Sequence, residues 1–129
     1  MSANAFIGQP PILHVSEKGT RGITGVASTS SSLYVVRHVT DHVEVLDREN
    51  FTVTSKIYIA GLKNAKSLAA CQHYNCLYVS NEPLKVIHRV DLSNRVVSKW
   101  SVRGQPQGVS ITRNHNLIRT PRDTTSCQV

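Results

Sequence analysis

Valine, isoleucine, threonine and tyrosine fall in short runs along the chain, and glycine, proline, asparagine or aspartate gathers between them. Such runs predict strands, because β-branched and aromatic side chains suit a pleated, half-buried surface and the intervening residues suit turns. No apolar residue recurs every third or fourth position for more than about two turns, so no amphipathic helix is expected. Strands are predicted at Thr24–Thr29, Leu33–Arg37, His42–Leu46 and Thr52–Ala60, then at Ser67–Cys71, Cys76–Asn81, Val86–Val90 and Val96–Val102. The Leu33–Arg37 run is short and apolar, as a strand covered on both faces is.

The two sets are copies of one another. Leu33-Tyr34-Val35 recurs as Leu77-Tyr78-Val79, and Asp47 with Asn50 recurs as Asp91 with Asn94. Further on, Ser55-Lys56 matches Ser98-Lys99, Ile57 matches Trp100, Ile59 matches Val102, and Gly61 matches Gly104. A third copy begins where Gly108-Val109 repeats Gly25-Val26, and Asn116-Leu117-Ile118 stands where the Leu-Tyr-Val run is due. The Asp and Asn pairs fall between the third and fourth strands. There a short side-chain oxygen closes a turn and Asn tolerates a left-handed backbone, which makes Asp47, Asn50, Asp91 and Asn94 structural residues.

A unit of about 43 residues with four strands predicts a blade of a β-propeller. Gly104-Gln-Pro106-Gln-Gly108-Val109-Ser-Ile111 resembles the Gly-x-Pro-x-Gly-Val opening of NHL-type blades, and Leu77-Tyr78-Val79-Ser80-Asn81 resembles the Tyr-Val-Thr-Asn segment of YVTN repeats. The resemblance covers residues 12–118. It implies an all-β fold of four-stranded antiparallel blades, two of them complete and flanked by parts of others. Arg37 stands where NHL repeats usually carry Asp, and the Gly-His to Trp-Asp signature of another propeller type is missing. The expected organisation is an N-terminal segment 1–11, blades at 23–61 and 62–104, a third begun at 105, and a tail or truncated blade at 119–129. Ile12-Leu13-His14-Val15 reads as the last strand of a preceding blade.

Length sharpens this reading. At 129 residues the chain has the size of one average domain, yet a six-bladed propeller with this period takes roughly 260 residues. Two or three blades alone leave sheet faces uncovered. The expectation is therefore a partial copy of a longer propeller, with a ring of several chains, self-associated through exposed blade faces, as the alternative. The opening residues lack a basic stretch and Pro10-Pro11 interrupts their apolar run, so no signal peptide is expected. No run is long enough to cross a bilayer. The odd count of 3 cysteines suits reduced thiols, which together places the chain in the cytoplasm by expectation.

Candidate chemistry is sparse. Cys71-Gln-His73-Tyr-Asn-Cys76 gathers soft ligand types, but a structural zinc site needs a fourth partner and Cys127 is distant. Cys71 and Cys76 read better as small apolar residues flanking a turn, with a cross-hairpin disulfide as an alternative. The six histidines are spread over strands and turns; His38 and His42, four apart, lie in a strand region and not on a helix. No Gly-x-Ser-x-Gly elbow or phosphate-cradling glycine loop occurs. Some propellers similar to this one are calcium-dependent hydrolases or lactonases. Such a site needs converging oxygens, and Asp47, Glu49 and Asp91 map to outer turns while Asn64 and Asn81 alone approach the channel. No catalytic residue, metal or cofactor is expected.

Charge is placed unevenly. Lys and Arg total 15 against 8 Asp and Glu, a formal charge of +7, and nine of these bases, against three acids, fall in residues 65–129. Lys85, Arg89, Arg95, Lys99, Arg103 and Arg113 are the candidate partner-binding residues, with Arg119 and Arg122 beyond them. A basic rim of this kind contacts phosphates without reading bases, and the resemblance to NHL propellers of tripartite-motif proteins, which include RNA binders, points the same way. Tyr34, Tyr78 and Trp100 are expected in core strands, which leaves few platforms for stacking bases. The expected function is an interaction module that binds a protein, or RNA, through loops and the basic rim. A propeller hydrolase fragment and a multi-chain sugar-binding propeller are the alternatives.

Overall fold

The computed structural model describes residues 22–104 and 106–121. The segment 1–11, the strand expected at Ile12-Leu13-His14-Val15, Arg122 and Cys127 lie outside the described residues. The first sheet is formed by β1 (Ile23–Ser28), β2 (Ser32–Arg37), β3 (His42–Asp47) and β4 (Val53–Tyr58), antiparallel and in chain order. A second sheet repeats the pattern with β5 (Ala65–Cys71), β6 (Cys76–Asn81), β7 (Val86–Asp91) and β8 (Val97–Ser101). The pair β9 (Pro106–Ile111) and β10 (Leu117–Pro121) starts a third. Among the described residues there is no α-helix, only a short 3-10 turn at Glu82–Leu84.

The fourth strands start one residue later than the sequence predicts because the preceding turn claims that residue, and they end one or two residues earlier. Asp47 Oδ1 accepts from the amides of Glu49 and Asn50, and Asn50 Oδ1 accepts from that of Thr52. Asp91 and Asn94 repeat these bonds with Ser93, Asn94 and Val96. One detail differs from expectation. The left-handed residue is not Asn but its successor, Phe51 at φ 59° and Arg95 at φ 61°. Asn serves through its side chain, and the turn bends one residue later. The matched pair Gly61 and Gly104 also takes positive φ, at 84° and 67°.

First strands lie side by side, β1 against β5 and β5 against β9, and the other strands run outward from them. Contact is intimate at Gly25: a Cβ there would lie 2.9 Å from Val36 Cγ2 and 3.2 Å from the Leu68 amide nitrogen. Thr24 Oγ1 donates to the Ala65 carbonyl at 2.7 Å, and the Val109 amide donates to Ser67 Oγ at 3.1 Å, so polar bonds tie each first strand to the next. Alternate residues of a strand point to opposite faces. Tyr34, Val36, Val43, Val45 and Ile57 of the first sheet thereby meet Leu68, Leu77, Val79 and Val90 of the second in one buried core.

Candidate interaction surface

The structure distributes the six basic candidates over three places. Lys85 ends the connection from β6 to β7, in a left-handed conformation, and its carbonyl accepts from the Val102 amide, which sets it beside Arg103. Arg119 reaches the same place, donating from Nη1 to the Arg103 carbonyl at 2.8 Å. Arg95 and Arg113 stand at the other end of the strands, in the β7–β8 and β9–β10 turns. Arg95 donates to Ser55 Oγ at 2.9 Å and so links the second blade to the first. Arg89 and Lys99 lie on β7 and β8 between these ends, on opposite faces of the sheet: Lys99 is paired in register with His88, and Arg89 with Ser98. Lys85, Arg103 and Arg119 are thus brought together, and the rest are not.

The outward face of the second sheet, turned toward β9 and β10, departs from expectation. Trp100 is 40% exposed, whereas its counterpart Ile57 is 3% exposed. The sequence places both on the face that meets the next blade; what differs among the described residues is the cover, four strands over Ile57 and two over Trp100. Tyr78 is half-buried and packs edge-on against Trp100, with ring centroids 6.0 Å apart. Burial, ahead of its contact with the Cys76 thiol, pushes the Tyr78 hydroxyl above its ordinary value, while a hydrogen bond to Arg89 opposes the shift. A cavity of about 360 Å³ opens between this face and β10, lined by Ile87, Trp100, Asn116, Leu117 and Arg119. Tyr34 alone of the three aromatics expected in the core is fully buried there.

Two further aromatic groups lie outside the core. His73 and His115, from the first turns of the second and third blades, stack at 3.9 Å with planes 6° apart, and Tyr74 meets His73 edge-on at 4.6 Å. Tyr58 is exposed and packs beside His42 at 5.2 Å. Sequence reasoning missed both groups, because ring contacts between neighbouring turns depend on how the blades are set together. Cys71 and Cys76 lie directly opposite one another as buried free thiols, and His73 points away from them into its stack. Among the described residues no three His, Cys, Asp or Glu side chains converge to hold a metal ion.

Asn81 is buried and bonded. Its Nδ2 donates to the Gly61 carbonyl at 2.8 Å and to His88 Nε2 at 3.0 Å. This assigns the His88 proton to Nδ1, and burial, with the Lys99 charge as a smaller cause, lowers the His88 pKa below its ordinary value. The first blade fills the corresponding positions with Arg37 and Glu44, joined at 2.8 Å. A second cavity, of about 470 Å³, is lined by Val39, Thr40, Asp41, His42, Leu62 and Lys63. Here His42 Nδ1 donates to Asp41 at 3.0 Å and holds its carboxyl below the usual range. Thr40, the hydroxyl of this lining, donates to the Arg37 carbonyl.

No protein-family model matches the chain, and no curated protein matches it in sequence. Solved structures do match. A chain of Kuenenia stuttgartiensis hydrazine synthase superposes with a TM-score of 0.69 at 17% identity, over 82% of this chain and 32% of that one. A chain of the nidogen/laminin complex superposes with a TM-score of 0.68 at 13% identity, over 78% of this chain and 40% of that one. The fold is that of a β-propeller. The chain spans about a third to two-fifths of the length of these structures. Among the described residues no helix is long and apolar enough to cross a membrane.

Proposed function

We propose that the chain is part of a larger β-propeller of the NHL or YVTN kind and serves as an interaction module. The observation that carries this reading is the outward face of the second blade: aromatic and basic side chains, Tyr78, Arg89 and Trp100, share one face beside the Lys85, Arg103 and Arg119 group. Exposed aromatics beside arginines are the composition of a recognition surface. A protein partner with an acidic segment suits this face best. RNA is the second reading, favoured by the basic excess and by the exposed rings of His73 and Tyr74, with half-buried His115 stacked on His73. The cytoplasm suits either partner and the free thiols of Cys71 and Cys76.

Retention of the purified chain on immobilised polyglutamate and on polyuridylate, over a series of salt concentrations, tests the reading. Retention is expected to fall steeply with salt and to be lost when Lys85, Arg89 and Arg103 are reversed to Glu. Retention indifferent to both salt and charge reversal contradicts it.

A further inference from the structure

We infer that Cys71 and Cys76 are a reversible redox pair, whose disulfide closes across the end of the β5–β6 hairpin and holds the turn on which the third blade stacks. The register sets them directly opposite one another as the last pair of that hairpin. Opposite residues of an antiparallel pair lie about 4.5 to 5.5 Å apart at Cα and project to the same face. A disulfide needs a Cα separation of about 4.4 to 6.8 Å, so the bond fits the existing spacing of the two strands.

The blade itself does not ask for cysteine at these positions. Extending the register of the first and third blades by one pair sets Thr29 opposite Ser32 and Thr112 opposite Asn116, each pair closed by a backbone hydrogen bond. Hydroxyl and amide side chains serve where the second blade carries two thiols. Both thiols are free and buried, but residues 72–75 between them are all exposed. This turn is held by a bond of 3.2 Å from the Asn75 amide to the Gln72 carbonyl, with Asn75 left-handed at φ 51°. Such a hairpin end opens locally, well short of global unfolding, and the opening admits a small oxidant.

A glutathione-type disulfide supplies the chemistry. One cysteine thiolate attacks a glutathione sulfur, which breaks the S–S bond, forms a mixed disulfide and releases one glutathione thiolate. The second cysteine thiolate attacks the cysteine sulfur of that mixed disulfide and expels the other glutathione. The protein loses two protons and two electrons, and the oxidant is reduced to two glutathiones. A disulfide beside an exposed turn is of the labile kind, open in a reducing compartment until the glutathione pool is oxidised. Its consequence reaches beyond the hairpin. The closed loop 71–76 contains His73, stacked on His115 of the third blade at 3.9 Å, and Asn75, whose carbonyl accepts from the Leu92 amide at 3.0 Å. Cys76 also gives up the thiol that meets the Tyr78 hydroxyl.

The full chain carrying Cys127→Ser, which leaves these two thiols alone, tests the inference. The folded protein is incubated in buffers of graded oxidised-to-reduced glutathione ratio, then unfolded, alkylated with N-ethylmaleimide and analysed by mass spectrometry. Both alkylation sites are expected to be lost together at oxidising ratios, with a Cys71–Cys76 crosslink in the peptide map, and to return on adding reduced glutathione. The imidazole NMR signals of His73 and His115 should shift on oxidation. Cys71→Thr with Cys76→Ser, which installs the residues of the first blade, should keep the circular dichroism of the folded chain and lose both responses. Thiols that stay alkylatable at every ratio overturn the redox pair. So do glutathione adducts at both cysteines without a crosslink, a crosslink between two chains, or one that forms only in urea. A crosslink that leaves the His73 and His115 signals unmoved overturns the link to the third blade.

Discussion

The first and second blades turn equivalent faces toward their next neighbours, and the two faces have different fates. Tyr34, Val43, Val45 and Ile57 are buried under the second blade. Their counterparts are Tyr78, Ile87, Arg89 and Trp100, and of these only Ile87 is buried. The first face is a core, sealed by four strands; the second is a groove, walled by β9 and β10 and lined at its apolar centre by a tryptophan. A repeat specifies which way a side chain points. Whether that direction is interior or surface depends on the neighbour, and the substitution of Arg for Val at one such position shows that the second face is not a copy of the first.

The largest difference is expected from truncation at the two interfaces. Leu77→Ala empties a fully buried site between the first and second blades and should cost about 3 to 4 kcal/mol in urea unfolding. Trp100→Ala removes a larger side chain and should cost no more than about 1 kcal/mol, since much of it is already in water. Equal costs would erase the distinction between core and groove.

A second contrast lies at the positions held by Arg37 and Glu44 in one blade and by Asn81 and His88 in the other. The first pair is ionic and mostly buried; the second is neutral and seals the Gly61 carbonyl. Glu44→Ala removes the carboxylate to which Arg37 Nε and Nη2 donate and should cost about 2 kcal/mol at neutral pH by thermal or denaturant unfolding. The neutral pair responds to acid instead. With the folded His88 pKa depressed, the unfolded chain binds its proton first, so stability should be intact above about pH 6.5 and fall as pH drops below it. The slope should not exceed about 1.4 kcal/mol per pH unit for one proton. His88→Asn should flatten this part of the stability profile, and an unchanged slope would show that another group carries it.

Much of the scaffold is legible in the residues. Cys76–Asn81 forms a strand with the predicted ends, and Asp47, Asn50, Asp91 and Asn94 close the turns assigned to them. These features are local: each depends on residues within a few positions. The rest depends on register and on neighbours. Arg37 departs from the NHL pattern, and its partner Glu44 is found only by laying β2 against β3. Trp100 lies on a strand with the pattern of a core strand, so its exposure follows from having two facing strands among the described residues and not from its own surroundings in the chain. The six basic candidates were adjacent only in number; antiparallel reversal sends Arg95 and Arg113 to one end of the strands and Lys85 and Arg103 to the other.

Trp100 is the single tryptophan of the chain, which makes it a selective reporter of the groove. Quenching of its fluorescence by acrylamide in dilute solution probes the contrast between the two faces directly. The account predicts ready quenching in the folded chain. A tryptophan shielded in the free, monomeric chain would contradict it.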